Sequence, residues 1–159
     1  MAEDILETMQ LAKPSIHMAP SPPAMTYVGL ETWLWMDRGQ WADITDSATI
    51  RTTTVTVTAE PTHVAWDLTD GSVNCPSAGR PWIKGMSGSE QTDCSYEFQN
   101  VSDRDGGNGA FDVSAQIQYQ VDWTCSGLCI EDGGTLGVVP GLASAAAIRV
   151  GERQSVTVN

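Results

Sequence analysis

The four cysteines are the residues of this chain whose spacing is easiest to interpret chemically. No Cys-x-x-Cys pair occurs and both histidines are distant in sequence, which disfavours a zinc site. An even number of cysteines in a small β-rich chain favours disulfides and an oxidising compartment. Of the pairings that four cysteines allow, we expect Cys75–Cys94 and Cys125–Cys129, because each pair brackets one local loop. Four reduced thiols in a cytosolic protein are the alternative.

A group of acidic and amide side chains at Asp103, Asp105 and Asn108 is a candidate calcium site. Alternating carboxylates with glycine at the sharp turn are typical of calcium-binding loops. Gly107 occupies the next ligand position, however, and the glutamate that ends such a loop is missing. The alternative, which we favour, is a solvated hairpin loop, so we expect no metal.

The remaining titratable residues do not form a catalytic pattern. Asp67 and Asp70 bracket a turn, and carboxylates perform acid–base chemistry only when they face each other across a cleft. We expect them to hydrogen-bond to turn backbone instead. His17 lies in a Pro-rich segment and His63 at a strand start, with no serine and acid at triad spacing. We therefore expect no enzyme activity and no cofactor.

Six tryptophans are available for packing or for binding. Trp66 and Trp123 occupy core positions of alternating strands, which predicts burial. Trp33, Trp35 and Trp82 are the candidate ligand contacts, because exposed aromatic side chains stack on sugars and are enriched at protein interfaces. For Trp33 and Trp35 we favour the alternative, which is packing beneath the N-terminal segment or the loop between Cys75 and Cys94.

The charge of the chain excludes some partners. Its 159 residues carry a net charge of −12, which repels phosphate backbones and anionic lipid. We therefore expect no nucleic-acid partner. No run approaches the roughly 20 apolar residues that cross a bilayer, so we expect no transmembrane segment. The first residues lack the basic-then-apolar pattern of a signal peptide, and we expect residues 1–4 to mark an internal boundary of a longer exported precursor.

Two regions are predicted along the chain, an arm at residues 1–26 and a body at 27–159. Residues 2–12 have helical character, which Pro14 ends because the residue before a proline avoids the α region. Pro20, Pro22 and Pro23 then predict an extended connector. The arm either docks on the body or hangs free.

The body has the pattern of a β-sandwich. Residues 110–124 alternate strictly between apolar and polar side chains, as in an antiparallel strand with one face in the core. Loops rich in Gly, Ser, Pro and Asp separate the strands, as in sandwiches. The other predicted strands are residues 27–36, 48–60 (ended by Pro61), 63–68, 142–150 and 152–158.

Three segments between residues 50 and 124 resemble the signatures of PKD domains. Residues 66–71, Trp-Asp-Leu-Thr-Asp-Gly, resemble Trp-Asp-Phe-Gly-Asp-Gly, with a threonine replacing the first glycine. Residues 94–96, Cys-Ser-Tyr, and 109–113, Gly-Ala-Phe-Asp-Val, are similar to that family's His-Thr-Tyr and Gly-x-Tyr-x-Val segments. The resemblance implies an immunoglobulin-like sandwich in which Trp66 is core and an Asp-Gly pair closes a tight turn.

Nearly the whole chain resembles a group of exported actinobacterial proteins of undefined function. The likeness is carried by Thr-Trp-Leu-Trp-Met-Asp at 32–37, the loop of residues 75–94 with Gly-Arg-Pro-Trp at 79–82, and Val-Gly-Glu-Arg-Gln at 150–154. Those proteins have a signal peptide, a Pro-rich middle and a C-terminal PKD-like module. Some carry a nucleotide-binding label, which no P-loop supports here. The resemblance implies fold and export.

These observations predict an all-β protein, a PKD/immunoglobulin-like antiparallel β-sandwich with a short N-terminal helix and a Pro-rich arm. We expect a secreted or cell-surface module that mediates protein interaction without catalysis. Its loops Gly71–Asp93 and Gly127–Gly141 would make the contacts, because a rigid sandwich positions variable loops. The alternatives are a carbohydrate-binding module that uses exposed tryptophans, or a subunit of a cell-envelope assembly.

Overall fold

The computed structural model describes residues 1–102 and 109–152 and confirms an all-β protein. One short helix precedes the strands, and a 3-10 turn occupies Arg38–Gln40. The elements are α1 (Ala2–Thr8), β1 (Ile16–Ala19), β2 (Thr26–Tyr27), β3 (Glu31–Met36), β4 (Ile44–Ile50), β5 (Thr53–Asp67), β6 (Ser72–Cys75), β7 (Ser95–Glu97), β8 (Phe111–Ser126), β9 (Gly133–Pro140), β10 (Ser144–Ile148) and β11 (Val150–Gly151).

The larger sheet is built on the long antiparallel pair of β5 and β8. On the side of β5 away from β8, β4 pairs with the first part of β5 and β6 with the last part. On the side of β8 away from β5, β10 pairs with the first part of β8 and β9 with the second part. The predicted alternation of residues 110–124 is confirmed, because every second side chain of β8 from Val113 to Val121 is buried. The buried members are Val113, Ala115, Ile117, Tyr119 and Val121. The predicted burial of Trp123 is wrong, because this side chain near the end of β8 is only half-buried.

The smaller sheet has the strand order β1-β3-β7, and a two-stranded sheet joins β2 to β11. Leu34 and Met36 of β3 and Met18 of β1 are buried in the same core as the inner side chains of the larger sheet. The two sheets therefore enclose one hydrophobic core, as in a sandwich.

The arm docks on the body rather than hanging free. Helix α1 is shorter than predicted: Met9 is already extended, with φ −68° and ψ 140°. Ala2 and Ile5 are buried in the core, and β1 pairs with β3. The Ala12 N–H donates to the Tyr119 hydroxyl (3.2 Å) and the Ser144 hydroxyl donates to the Pro14 carbonyl. The boundary between residues 26 and 27 stays a prediction.

The predicted strands at 48–60 and 63–68 are wrong in their limits. The first spans a hairpin whose turn lies at Arg51 and Thr52, where Arg51 has a φ of 59°. Pro61 does not end a strand, because β5 continues to Asp67 through a bulge between Pro61 and His63. The bulge changes which residues face inward: Val57 is buried before it and Trp66 after it. A strict alternation across this bulge therefore does not exist.

The other predicted strands also change. Residues 27–36 divide into β2 and β3, separated by a turn at Gly29 with a φ of 78°. Residues 142–150 contain β10 and the start of β11, and β6 lies within the predicted loop 69–93. The predicted strand at 152–158 lies outside the described residues, except for Glu152.

The bulge at Thr62 generates a prediction. Thr62 is the extra residue of the bulge, so its deletion would restore a strict alternation with Val64 and Trp66, which are 1% and 2% exposed, still on the core face. We expect this deletion to lower the free energy of unfolding by less than about 2 kcal/mol, measured by urea denaturation without reductant. Deletion of Ala65 instead turns Trp66 to the outer face and should cost at least about 3 kcal/mol. Equal stability of the two deletions would contradict this account of the bulge.

Candidate functional site

Both predicted disulfides are confirmed. Cys75 ends β6 in the larger sheet and Cys94 precedes β7 in the smaller sheet, so their bond joins the two sheets through the core. Cys125 and Cys129 close a short loop that follows β8. The segment 76–93 between the first two cysteines, called the disulfide loop below, is therefore fixed at both of its ends.

The outer face of the smaller sheet is aromatic. Thr32, Leu34 and Met36 of β3 point into the core, so Trp33 and Trp35 lie on the opposite side. The His17 ring on β1 stacks on the Trp35 ring with centroids 5.7 Å apart. His17 Nε2 also lies 2.8 Å from a carboxylate oxygen of Asp37.

The disulfide loop covers part of this aromatic face. The loop is attached to β3 by a backbone hydrogen bond, in which the Met36 N–H donates to the carbonyl of Ala78 (2.8 Å). Gly79, with a φ of 86°, lies against the backbone of Leu34 and Trp35, where a Cβ would collide. This position therefore requires glycine on two grounds, its backbone conformation and its close approach.

Arg80 fixes the next part of the loop. Its guanidinium contacts the Glu90 carboxylate (2.9 Å) and donates to the Gln91 carbonyl (3.0 Å). It lies 5.8 Å from the centre of the Trp33 ring, within the range of a cation–π contact. Trp33 is consequently only 7% exposed although it lies on the outer face.

Trp82 borders a groove at the edge of this surface. Its side chain is 41% exposed, whereas Trp33 is buried and Trp35 is half-buried. The groove has a volume of about 360 Å³ and is called the Trp82 groove below. Apolar side chains dominate its walls, and one carboxylate lies among them. The lining residues are Ala19, Pro20, Leu30, Glu31, Trp33 and Trp82.

Sequence reasoning named Trp33 and Trp82 but missed the other walls of the groove. Glu31 stands two residues before Trp33 on β3, so strand alternation places both on one face, a signal that was available. Ala19 and Pro20 belong to the arm, and their position depends on the pairing of β1 with β3. No local pattern in the arm reveals that contact.

A second cleft, of about 420 Å³, lies between α1 and the loop of Cys125 and Cys129. Leu128 and Ile130 on its border are 80% and 105% exposed, so this short loop presents an apolar surface. The prediction of a single loop at Gly127–Gly141 is wrong, because Gly133–Pro140 form β9 paired with β8. Trp123, the aromatic residue of this cleft, is half-buried. The cleft lacks the exposed indole that distinguishes the Trp82 groove.

Asp67 hydrogen-bonds to turn backbone, as expected, whereas the partners of Asp70 lie in β7 and the segment after it. Asp67 accepts from the Thr69 N–H (2.9 Å), which supports the left-handed φ of 67° at Thr69. Asp70 accepts from the Tyr96 hydroxyl (2.7 Å), and its remaining partners are the Gln99 N–H (2.9 Å) and the Asn100 amide (2.8 Å). Asp70 thereby ties the turn after β5 to β7 of the other sheet.

These contacts shift two pKa values. Burial raises the pKa of Asp70, but the hydrogen bonds from Gln99, Tyr96 and Asn100 together outweigh burial and hold that pKa below its usual value of 3.8. Burial, followed by the hydrogen bond to the Asp70 carboxylate and its charge, raises the pKa of Tyr96 to about 12. Asp70 is therefore an ionised acceptor and Tyr96 a neutral donor at neutral pH.

The calcium candidates Asp103, Asp105 and Asn108 lie outside the described residues. In residues 1–102 and 109–152, no three His, Cys, Asp or Glu side chains come together as metal ligands do. No helix in the same ranges is long and apolar enough to span a membrane. Comparison of the chain with protein-family models, with curated proteins and with solved structures finds no match.

The Asp70 contacts generate a prediction about acid stability. Because the pKa of Asp70 is lower in the folded state than its ordinary value of 3.8, its contribution is complete above that value and is lost as pH falls through the folded pKa. Asp70→Asn should cost about 2 kcal/mol at neutral pH, and Tyr96→Phe about 1 kcal/mol. Asp70→Asn should also remove part of the decline in unfolding free energy below about pH 4.

Urea denaturation at a series of pH values measures both effects. The control is Asp43→Asn, which changes an exposed acid and should leave the acid decline close to that of the original chain. If Asp70→Asn has the same decline as Asp43→Asn, the stabilising role of the Asp70 contacts is refuted.

Proposed function

We propose that this chain is a non-catalytic module, exported or displayed at the cell surface, that binds a protein partner through Trp82. The observation that carries the proposal is the exposure of Trp82, at 41%, on a loop whose two ends are held by the Cys75–Cys94 bond. Ile83 beside it is 66% exposed, so the two side chains form an apolar projection. Tryptophan is among the side chains that most often dominate binding energy at protein interfaces.

The attachment of the disulfide loop supports a binding role. The Cys75–Cys94 bond, the Met36–Ala78 hydrogen bond and the Arg80–Glu90 ion pair restrict the loop before any partner arrives. A restricted loop loses less conformational entropy on binding, which leaves more of the contact energy as affinity.

The compartment and the finer fold are part of the proposal. Two disulfides favour an oxidising environment outside the cytosol. A PKD/immunoglobulin-like assignment is supported by Trp66, which is 2% exposed, and by the Asp70–Tyr96 hydrogen bond, which joins two of the segments that resemble PKD signatures. The likeness to exported actinobacterial proteins is also part of the proposal, and it is supported by the sequence segments 32–37, 75–94 and 150–154.

Carbohydrate recognition is the second candidate, because an exposed indole can stack on a sugar ring. Sugar ligands carry many hydroxyls that need partners, and precisely placed polar groups provide specificity in ligand sites. The Trp82 groove offers Glu31 as its one charged side chain. This polar-poor lining favours a protein partner over a glycan.

Binding to cell envelopes from the organism that encodes the chain tests the proposal. We expect the fluorescently labelled protein to bind, and Trp82→Ala to bind at least about tenfold more weakly. Ile50→Ala, which removes an exposed side chain at the end of β4 outside both predicted contact loops, is the control and should bind like the original chain.

Treatment of the envelopes separates the two candidates. Protease treatment should abolish binding and periodate oxidation should preserve it if the partner is a protein. The reverse result would favour carbohydrate recognition. Unchanged binding by Trp82→Ala would exclude Trp82 from the interaction and overturn the proposal.

A further inference from the structure

We infer that the Trp82 groove receives a long basic side chain, lysine or arginine, from the protein partner. This inference rests on the proposed function and adds the chemistry of the anchor residue. The lining combines apolar walls with one carboxylate, that of Glu31. Lysine and arginine have the complementary composition, because their apolar stems end in a cationic group.

Electrostatics favours a cationic occupant. Glu97 is the cross-strand partner of Glu31, and both side chains are exposed. The chain as a whole carries a charge of −12, which attracts basic surfaces and repels acidic ones. The cation of Arg80 near the groove is compensated by Glu90 at 2.9 Å.

The aromatic walls suit a cation as well. Trp33 already holds the Arg80 guanidinium at 5.8 Å from its ring centre, so one indole of this groove makes a cation–π contact within the chain. The more exposed Trp82 ring is available for the same contact with a partner. A cation between Trp82 and Glu31 would combine aromatic and ionic attraction.

A neutral apolar occupant fits less well. It would remove water from the Glu31 carboxylate without replacing the lost hydrogen bonds, which costs free energy. An anionic occupant would be repelled by Glu31 in the groove wall and by Glu97 on the neighbouring strand. The groove therefore selects a cationic side chain over a neutral or anionic one. Contact between the apolar walls and the carbon stem of that side chain adds affinity but does not distinguish charge.

Titration with model side chains tests the inference directly. The probes are the N-acetyl methylamides of lysine, arginine and norleucine, and norleucine has the same unbranched stem as lysine without the ammonium group. Indole N–H signals of the ¹⁵N-labelled protein report binding, and Trp82→Phe assigns the signal of Trp82. We expect the lysine or arginine amide to shift the Trp82 signal saturably, and the norleucine amide to leave it unchanged at the same concentration.

Two variants and a control sharpen the test. Glu31→Gln and Trp82→Ala should each weaken binding of the basic amide about threefold or more, with the Trp33 signal reporting in the second variant. Glu7→Gln removes an exposed acid of α1 and should bind like the original chain. Added salt should weaken binding, because partly exposed charges are screened.

Several results would overturn the inference: no shift with either basic amide, an equal shift with norleucine, or equal binding by Glu31→Gln and Glu7→Gln. These results are separable from failure of the proposed function. If Trp82→Ala loses envelope binding while Glu31→Gln retains it fully, the protein-binding role stands and the basic anchor is refuted. If Trp82→Ala binds envelopes normally, the proposed function itself fails.

Discussion

The pairing of β5 with β8 is the constraint on which the rest of the structure depends. β8 has 16 residues and β3 has 6, so the long ribbon extends roughly 50 Å and the strand facing it about 20 Å. A sheet of short strands cannot cover the whole apolar face of that ribbon. Helix α1 packs beside β4 and β5, where Ala2 and Ile5 are buried. The arm is therefore needed to complete the core.

This constraint also determines where the Trp82 groove lies. Once the arm has crossed the core, β1 adds to the edge of β3 and brings Ala19 opposite Trp33. The disulfide loop reaches the same face from the other side, because Cys75 ends a strand of the larger sheet and Cys94 leads into β7. In the chain-entropy model, closing a loop of this length stabilises the fold by about 3 kcal/mol.

The sequence predicted what depends on local periodicity and missed what depends on remote contacts. The alternation of β8 and the burial of Trp66 follow from side chains that are neighbours in the chain. The β4–β5 turn was missed because Arg51 and Thr52 are not typical turn residues, although Arg51 is left-handed. Pro61 was interpreted as a strand end, whereas a bulge accommodates it within β5.

The candidate site was also predictable only where it depends on neighbours in the sequence. Trp33 and Trp82 are recognisable in the sequence as aromatic side chains outside the core pattern. Their exposure was not predictable, because Trp33 is 7% exposed and Trp82 is 41% exposed. Arg80 and the disulfide loop cover Trp33, and neither contact is visible from the alternation of β3. The walls contributed by Ala19, Pro20 and Leu30 require the docked arm and the turn that precedes β3.

The assembly of the groove from three remote segments links binding to stability. Its walls come from the arm, from β3 with its preceding turn, and from the disulfide loop, so the groove exists only when all three are in place. A ligand that binds this arrangement stabilises it by mass action over states in which the arm has left or the loop has opened. The carboxylates of Asp67 and Asp70 already accept hydrogen bonds within the chain, and Glu31 is the carboxylate that the groove presents to a partner.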